Sequence, residues 1–241
     1  MENKTNSLKK QRIWEIDAFR GVLILGVIVV HFLFDLTNVF SSGINLPPIY
    51  IFLLENGGIF FVVLSGLSVT LGTNSVKRGL IVFGCGLGVS LVTYFVGMLS
   101  PSFKSLFIVF GVLHLLGTCM ITYPIFKRMP AFAVLAFGIA FVFLGYWIKS
   151  LPPSKRFVDF ILGLKSVKYG SGDYFPIFPN LGWFLIGAFL GRTIYKEKRS
   201  LIPVNAAENS LIKALCFFGR HSLQIYLIHQ PLIFLVLLIV L

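Results

Sequence analysis

The stretch "IDAFRGVLILGVIVVHFLFDL", from Ile16 to Leu36, places Asp17, Arg20, His31 and Asp35 in an otherwise apolar run. In hydrocarbon each such group costs on the order of several kcal/mol unless it is paired, hydrated or used. His31 and Asp35 are four residues apart and so share one face of a helix. A carboxylate beside an imidazole fixes its tautomer and raises its basicity, which is what a general base requires. A second imidazole, His114 in "FGVLHLLG", falls in another apolar run at a depth matching that of His31. The expected catalytic set is therefore His31, Asp35 and His114, with no metal, because no zinc-ligand spacing of Cys and His is present.

Other polar residues group toward the two ends of the apolar runs. Arg20 can pair with Asp17 three residues before it, and Lys77, Arg78, Arg192 and Arg220 border the same surface. That surface attracts an anionic ligand, with Arg20, Lys77, Arg78 and Arg220 as the expected contacts. At the opposite end, "ENGGIFFVVLSG" supplies Glu55 and Asn56, with Ser65 further in, and "FPNLGWFLIGAFLG" supplies Asn180 and Trp183. Glu55, Asn56, Asn180 and Trp183 are the expected contacts of a second substrate. His221 and His229, in "GRHSLQIYLIHQP", read as hydrogen-bonding residues between helices. Cys85, Cys119 and Cys216 read as small buried hydrophobes.

The elements that must position these groups are membrane spans. Of the 241 residues 56% are hydrophobic and 12% charged, with a mean hydropathy of +0.88, far outside the range of a soluble domain. Apolar runs long enough to cross about 30 Å of hydrocarbon lie near 19–40, 50–72, 79–99, 106–126, 131–148, 177–195 and 221–241. The expectation is an all-α polytopic bundle of about seven spans in a single domain, 1–241. The segment from Asn209 to Phe218 reads as an amphipathic helix at the surface. "GCGLG" (Gly84 to Gly88) and "GAFLG" (Gly187 to Gly191) carry the small-residue spacing of close helix contacts. The first run, with its internal charges and no small-residue cleavage site, reads as a retained span.

The net charge of +12 could suggest nucleic acid. Its Lys and Arg, however, gather at the ends of apolar runs, as topology signals do. Fifteen of the 21 fall on the side of the N-terminus when the spans alternate. The N-terminus is then cytoplasmic and the protein a multi-pass component of the cell membrane, with lipid rather than nucleic acid as its surroundings.

With its Ile-Asp-x-x-Arg-Gly start and ten residues between Arg20 and His31, "EIDAFRGVLILGVIVVHFLFDL" resembles the membrane-embedded acyltransferases. The likeness is nearest to bacterial relatives of the catalytic domain of heparan-α-glucosaminide N-acetyltransferase. "GGIFFVVLSGLS", "FGVLHLLG", "FPNLGWFLIGAFLG" and "GRHSLQIYLIHQP" continue it in order along the chain. The resemblance implies transfer of an acyl group, commonly acetyl from acetyl coenzyme A, from the cytoplasm to an extracytoplasmic sugar or other glycan acceptor. It makes His31 the base and Arg20 a support of the donor or of the site's fold. The basic cluster would hold the donor's phosphates, and His114 or Asn56 could stabilise the oxyanion. Direct transfer and an acyl-histidine intermediate both remain open, as does the oligomeric state, a homodimer included. The alternative function is a proton-coupled transporter using buried His and Asp, and a third is a structural or assembly subunit.

Overall fold

The computed structural model describes residues 12–39, 46–99, 106–203 and 209–240. Among these every named element is helical. In chain order they are α1 (Trp14–Phe34), continued by a π-helical turn (Asp35–Val39), α2 (Pro48–Leu71), α3 (Ser75–Leu99), α4 (Val112–Lys127), α5 (Ala131–Ser150), α6 (Phe157–Leu162), α7 (Ile177–Thr193), α8 (Ser210–Arg220) and α9 (Ser222–Val240). Prolines set several starts. Pro48 occupies the first turn of α2, while Pro130 and Pro176 immediately precede α5 and α7, where a missing N–H and a fixed φ cost nothing.

The chain is a multi-pass helical membrane protein. Five helices, α1, α2, α3, α5 and α9, are long and apolar enough to cross a bilayer. The other two expected spans are shorter. The run at 106–126 contracts to the 16 residues of α4, and that at 177–195 to the 17 of α7. Enclosure explains why α4 need not match the hydrocarbon thickness: 10 of its 16 residues are buried among the other helices. Its N-terminus starts deep in the bundle, at the level of Gly86 halfway along α3. The non-helical backbone that precedes it is satisfied by the loop before α7. Gly172 N–H donates to Phe107 O at 3.1 Å, Phe175 N–H to Phe110 O at 3.4 Å and Val109 N–H to Ser171 Oγ at 3.1 Å. Irregular backbone at membrane depth is tolerated when protein supplies the partners in this way.

Glycines let the helices touch backbone to backbone. A Cβ on Gly66 would stand 1.9 Å from Phe184 O and one on Gly187 1.9 Å from Val63 O; with Gly58 against Phe175 just before α7 and Gly191 against Leu67 and Thr70, α2 and α7 run in parallel. The "GAFLG" pair, Gly187 and Gly191, both face α2. In "GCGLG" the flanking Gly84 and Gly88 face open space, and it is Gly86 between them that meets α4 at His114. Helix α8 is the expected amphipathic segment. It does not merely lie on the surface, for its Gly219 packs against Asp17 O and Leu215 against Gly21 of α1. Helices α1 and α9 run in parallel, with Arg20 beside Arg220 and Leu223 at one end and His31 beside His229 and Gln230 at the other. The start of α1 and the end of α9 therefore lie at opposite ends of the bundle. Cys119 and Cys216 are buried and Cys85 half-buried. Burial raises the Cys216 thiol pKa above its ordinary value.

Candidate active site

His31, on the last turn of α1, meets α9 rather than its own helix neighbour. Its Nδ1 lies 3.1 Å from Gln230 Oε1 and 2.9 Å from His229 Nε2. Gln230 Nε2 donates to Asp35 Oδ2 at 2.7 Å, which turns the amide oxygen toward His31. His229 Nδ1 lies 2.6 Å from Tyr226 O, an acceptor only, so that nitrogen carries the proton and Nε2 of the neutral ring has a lone pair. Two acceptors therefore face His31 Nδ1, which must be the N–H. In the neutral ring the free lone pair of His31 then sits on Nε2, as a base or nucleophile requires.

Asp35 enters this chain one step away from its expected place. It is fully buried, yet it reaches His31 through Gln230 and not directly across the helix turn. Its Oδ1 has no partner among the described residues. His229, expected as a hydrogen-bonding residue between helices, makes that bond to His31 itself.

On the side of the chain's N-terminal end, a cavity of about 260 Å³ is lined by Arg20, Arg78, Arg220, Ser65 and Tyr226 among others. Arg20 Nη1 pairs with Asp17 Oδ1 at 3.2 Å, and its Nη2 donates to Ser68 Oγ at 2.6 Å, tying α1 to α2. Arg220 is held by its Nε donating to Cys216 O at 3.1 Å. Among the described residues neither Arg78 nor Arg220 has a carboxylate within 4.0 Å, so both guanidinium groups are available to an anion. Lys77 is exposed and lies outside the cavity wall. The N-terminal parts of α1 and α3 and the last residue of α8 thus deliver three arginines to one mouth.

Tyr226 partitions the cavity from the histidine pair. It lines the cavity, its ring centroid is 5.2 Å from that of His229, and its hydroxyl donates to Asp173 Oδ2 at 2.8 Å. The same carboxylate oxygen accepts Val112 N–H at 3.1 Å and so caps α4. His114 belongs to this cap and not to the His31 group. Gly111 N–H donates to its Nδ1 at 3.2 Å, and its Nε2 lies 3.3 Å from Ser90 Oγ, which in turn donates to Ile108 O at 2.7 Å. With both nitrogens engaged in holding the irregular backbone, His114 has no free lone pair to offer.

None of Glu55, Asn56, Asn180 and Trp183 lines the cavity. Glu55 is exposed, Asn56 donates to Phe52 O of its own helix, and buried Asn180 donates to Pro176 O at the start of α7. Trp183 is half-buried, and its Nε1 is without a partner among the described residues. The residues that sequence reasoning did not place at the site are His229, Gln230, Tyr226 and Asp173. "HQP" in the last run was the available signal, since an adjacent His and Gln in hydrocarbon both need partners.

A family model described as heparan-alpha-glucosaminide N-acetyltransferase, catalytic, matches residues 12–231. The chain belongs to this family. It is therefore placed among membrane acetyltransferases, and the match takes in α1 with its His31 group, the three arginines of the cavity, and Gln230. No curated protein and no solved structure matches the chain.

Proposed function

We propose that this member of the heparan-α-glucosaminide N-acetyltransferase catalytic family moves an acetyl or other short acyl group from acyl coenzyme A, bound at its basic end, to an amino sugar or other glycan acceptor entering from the opposite side. The observation that carries the reading is the hydrogen-bond chain from Asp35 through Gln230 to His31, closed by His229, which leaves a lone pair on His31 Nε2.

In direct transfer, Nε2 takes the proton of the acceptor N–H or O–H as that atom attacks the thioester carbonyl carbon. The C–S bond breaks, and His31 returns the proton to the leaving thiolate. In the two-step route the same nitrogen attacks first and carries the acyl group to the acceptor. Either way positive charge develops on the imidazole. His229 Nε2, Gln230 Oε1 and the carboxylate behind it stabilise that charge. Arg78 and Arg220 hold the donor's phosphates, and Arg20 ties down the wall between them.

The test supplies purified chain with acetyl coenzyme A labelled in the acetyl group and a panel of amine- and hydroxyl-bearing sugars. Label appearing on an acceptor or on the protein supports the reading. Proton flux across vesicles with no acetyl transfer would favour the carrier alternative instead.

A further inference from the structure

Hydroxyls on apolar helices ordinarily bond back to a carbonyl one turn earlier, which satisfies them without outside help. Ser68 does so to Leu64 O at 2.7 Å, Thr93 to Val89 O at 2.9 Å, Thr118 to His114 O at 2.8 Å and Thr122 to Thr118 O at 3.0 Å. Ser65 does not. It is 8% exposed, and its buried Oγ has no hydrogen-bond partner among the described residues. A buried hydroxyl left unpaired costs free energy that an ordinary structural serine would avoid.

Its place explains what could pair it. Ser65 lines the 260 Å³ cavity, about 4.5 Å further along α2 from the basic mouth than Ser68, the residue that Arg20 holds. Around it the wall is apolar, built from Phe61, Leu64, Val82, Leu113, Leu116 and Leu223. The cavity thus has guanidinium groups at its mouth, the serine with the unspent hydroxyl in its wall partway in, and Tyr226 at its inner end.

We infer that the Ser65 hydroxyl is a binding group for the donor's arm, donating to an amide carbonyl of a pantetheine chain whose phosphates sit on the arginines. The inference rests on reading the cavity as the donor site. The ligand class follows from the wall. An anionic end is needed for the arginines, a slender and mostly apolar arm for the leucine-lined stretch, and a carbonyl partway along it for Ser65. A small acyl phosphate would reach the arginines and leave Ser65 unpaired. A fatty chain would fill the apolar stretch and leave it unpaired too. A pantetheine arm, with amides set between methylene runs, meets all three conditions. The single hydrogen bond sets how far the arm advances toward Tyr226 and the histidine pair beyond it.

The test is calorimetric titration of the full chain in detergent with two ligands: coenzyme A, and adenosine 3′,5′-bisphosphate, which has phosphates and no arm. Ser65→Ala is expected to weaken coenzyme A by about 5- to 10-fold, the loss of one buried hydrogen bond. The bisphosphate affinity should not change. The melting temperature of the ligand-free variant should equal or exceed the wild type, because an unpaired buried polar group has been removed. Coenzyme A affinity within about twofold of wild type in Ser65→Ala would overturn the inference and leave the donor-site reading standing. Equal weakening of both ligands would also overturn it, by moving Ser65 to the phosphate end. Failure of the wild type to bind coenzyme A would instead remove the donor-site reading.

Discussion

His31→Ala removes the nitrogen on which the proposed chemistry turns, while the arginine mouth stands at the other end of α1, eleven residues away at Arg20. Acyl transfer is expected to fall by at least ~10²-fold, the lower range for a positioned base, with melting temperature and coenzyme A affinity nearly unchanged. Asp35→Asn should do less harm, because the amide oxygen can still accept from Gln230 Nε2 and keep Gln230 Oε1 turned toward His31. Asp35→Leu should do more: with no acceptor behind it, Gln230 is free to turn its amide and present N–H to His31 Nδ1. That would move the ring proton to Nε2 and block the base. Turnover of the three variants, measured with donor affinity on the same preparations, checks the order. A Leu variant as active as the Asn variant would show that Gln230 does not set the tautomer.

At the scale of elements, the bundle depends on close glycine contacts that also carry site residues. A Cβ on Gly219 would stand 1.8 Å from Asp17 O, whereas Gly84 faces open space. Gly219→Ala is therefore expected to destabilise the protein by about 1 to 3 kcal/mol through overpacking. It should weaken donor binding as well, because Arg220 is the next residue and Asp17 is the partner of Arg20. Gly84→Ala should leave both unchanged, as thermal melts and titrations of the two variants would show. This contrast also marks what the sequence made legible. Apolar runs, end charges and the amphipathic character of α8 are local properties and could be read directly. Which glycine of "GCGLG" meets a neighbour depends on helix rotation, and nothing local encodes that. The site divides in the same way. His31 and Asp35 announce themselves because polar groups in hydrocarbon need partners. Their actual partners, His229 and Gln230, lie 198 and 195 positions away along the chain. The equal depth of His31 and His114 suggested a shared cavity, but α4 starts mid-bundle and spends His114 on capping its own entry.

For the molecule as a whole, the arrangement sorts charge by end. The three cavity arginines open where α1 begins and where α2 hands over to α3, the end on which most of the Lys and Arg fall when the spans alternate. By the charge rule that end is expected to face the cytoplasm. The Tyr226 and Asp173 contact, made by a loop from the other end, stands between this mouth and the histidine pair. Two consequences can be measured together in sealed vesicles of known orientation. Externally added labelled acetyl coenzyme A should support transfer in inside-out vesicles and not in right-side-out ones. In the inside-out set, Arg78→Gln with Arg220→Gln should weaken donor use by the loss of two charge-assisted phosphate contacts, each worth about 1.5 to 3 kcal/mol. Lys77→Gln, outside the wall, should change little. Raising the salt concentration should weaken the wild type more than the double variant, because screening acts on the attraction that the variant has lost. Donor use from the right-side-out face would reverse the orientation, and a Lys77 variant as weak as the arginine pair would move the phosphates out of the cavity and onto the surface beside it.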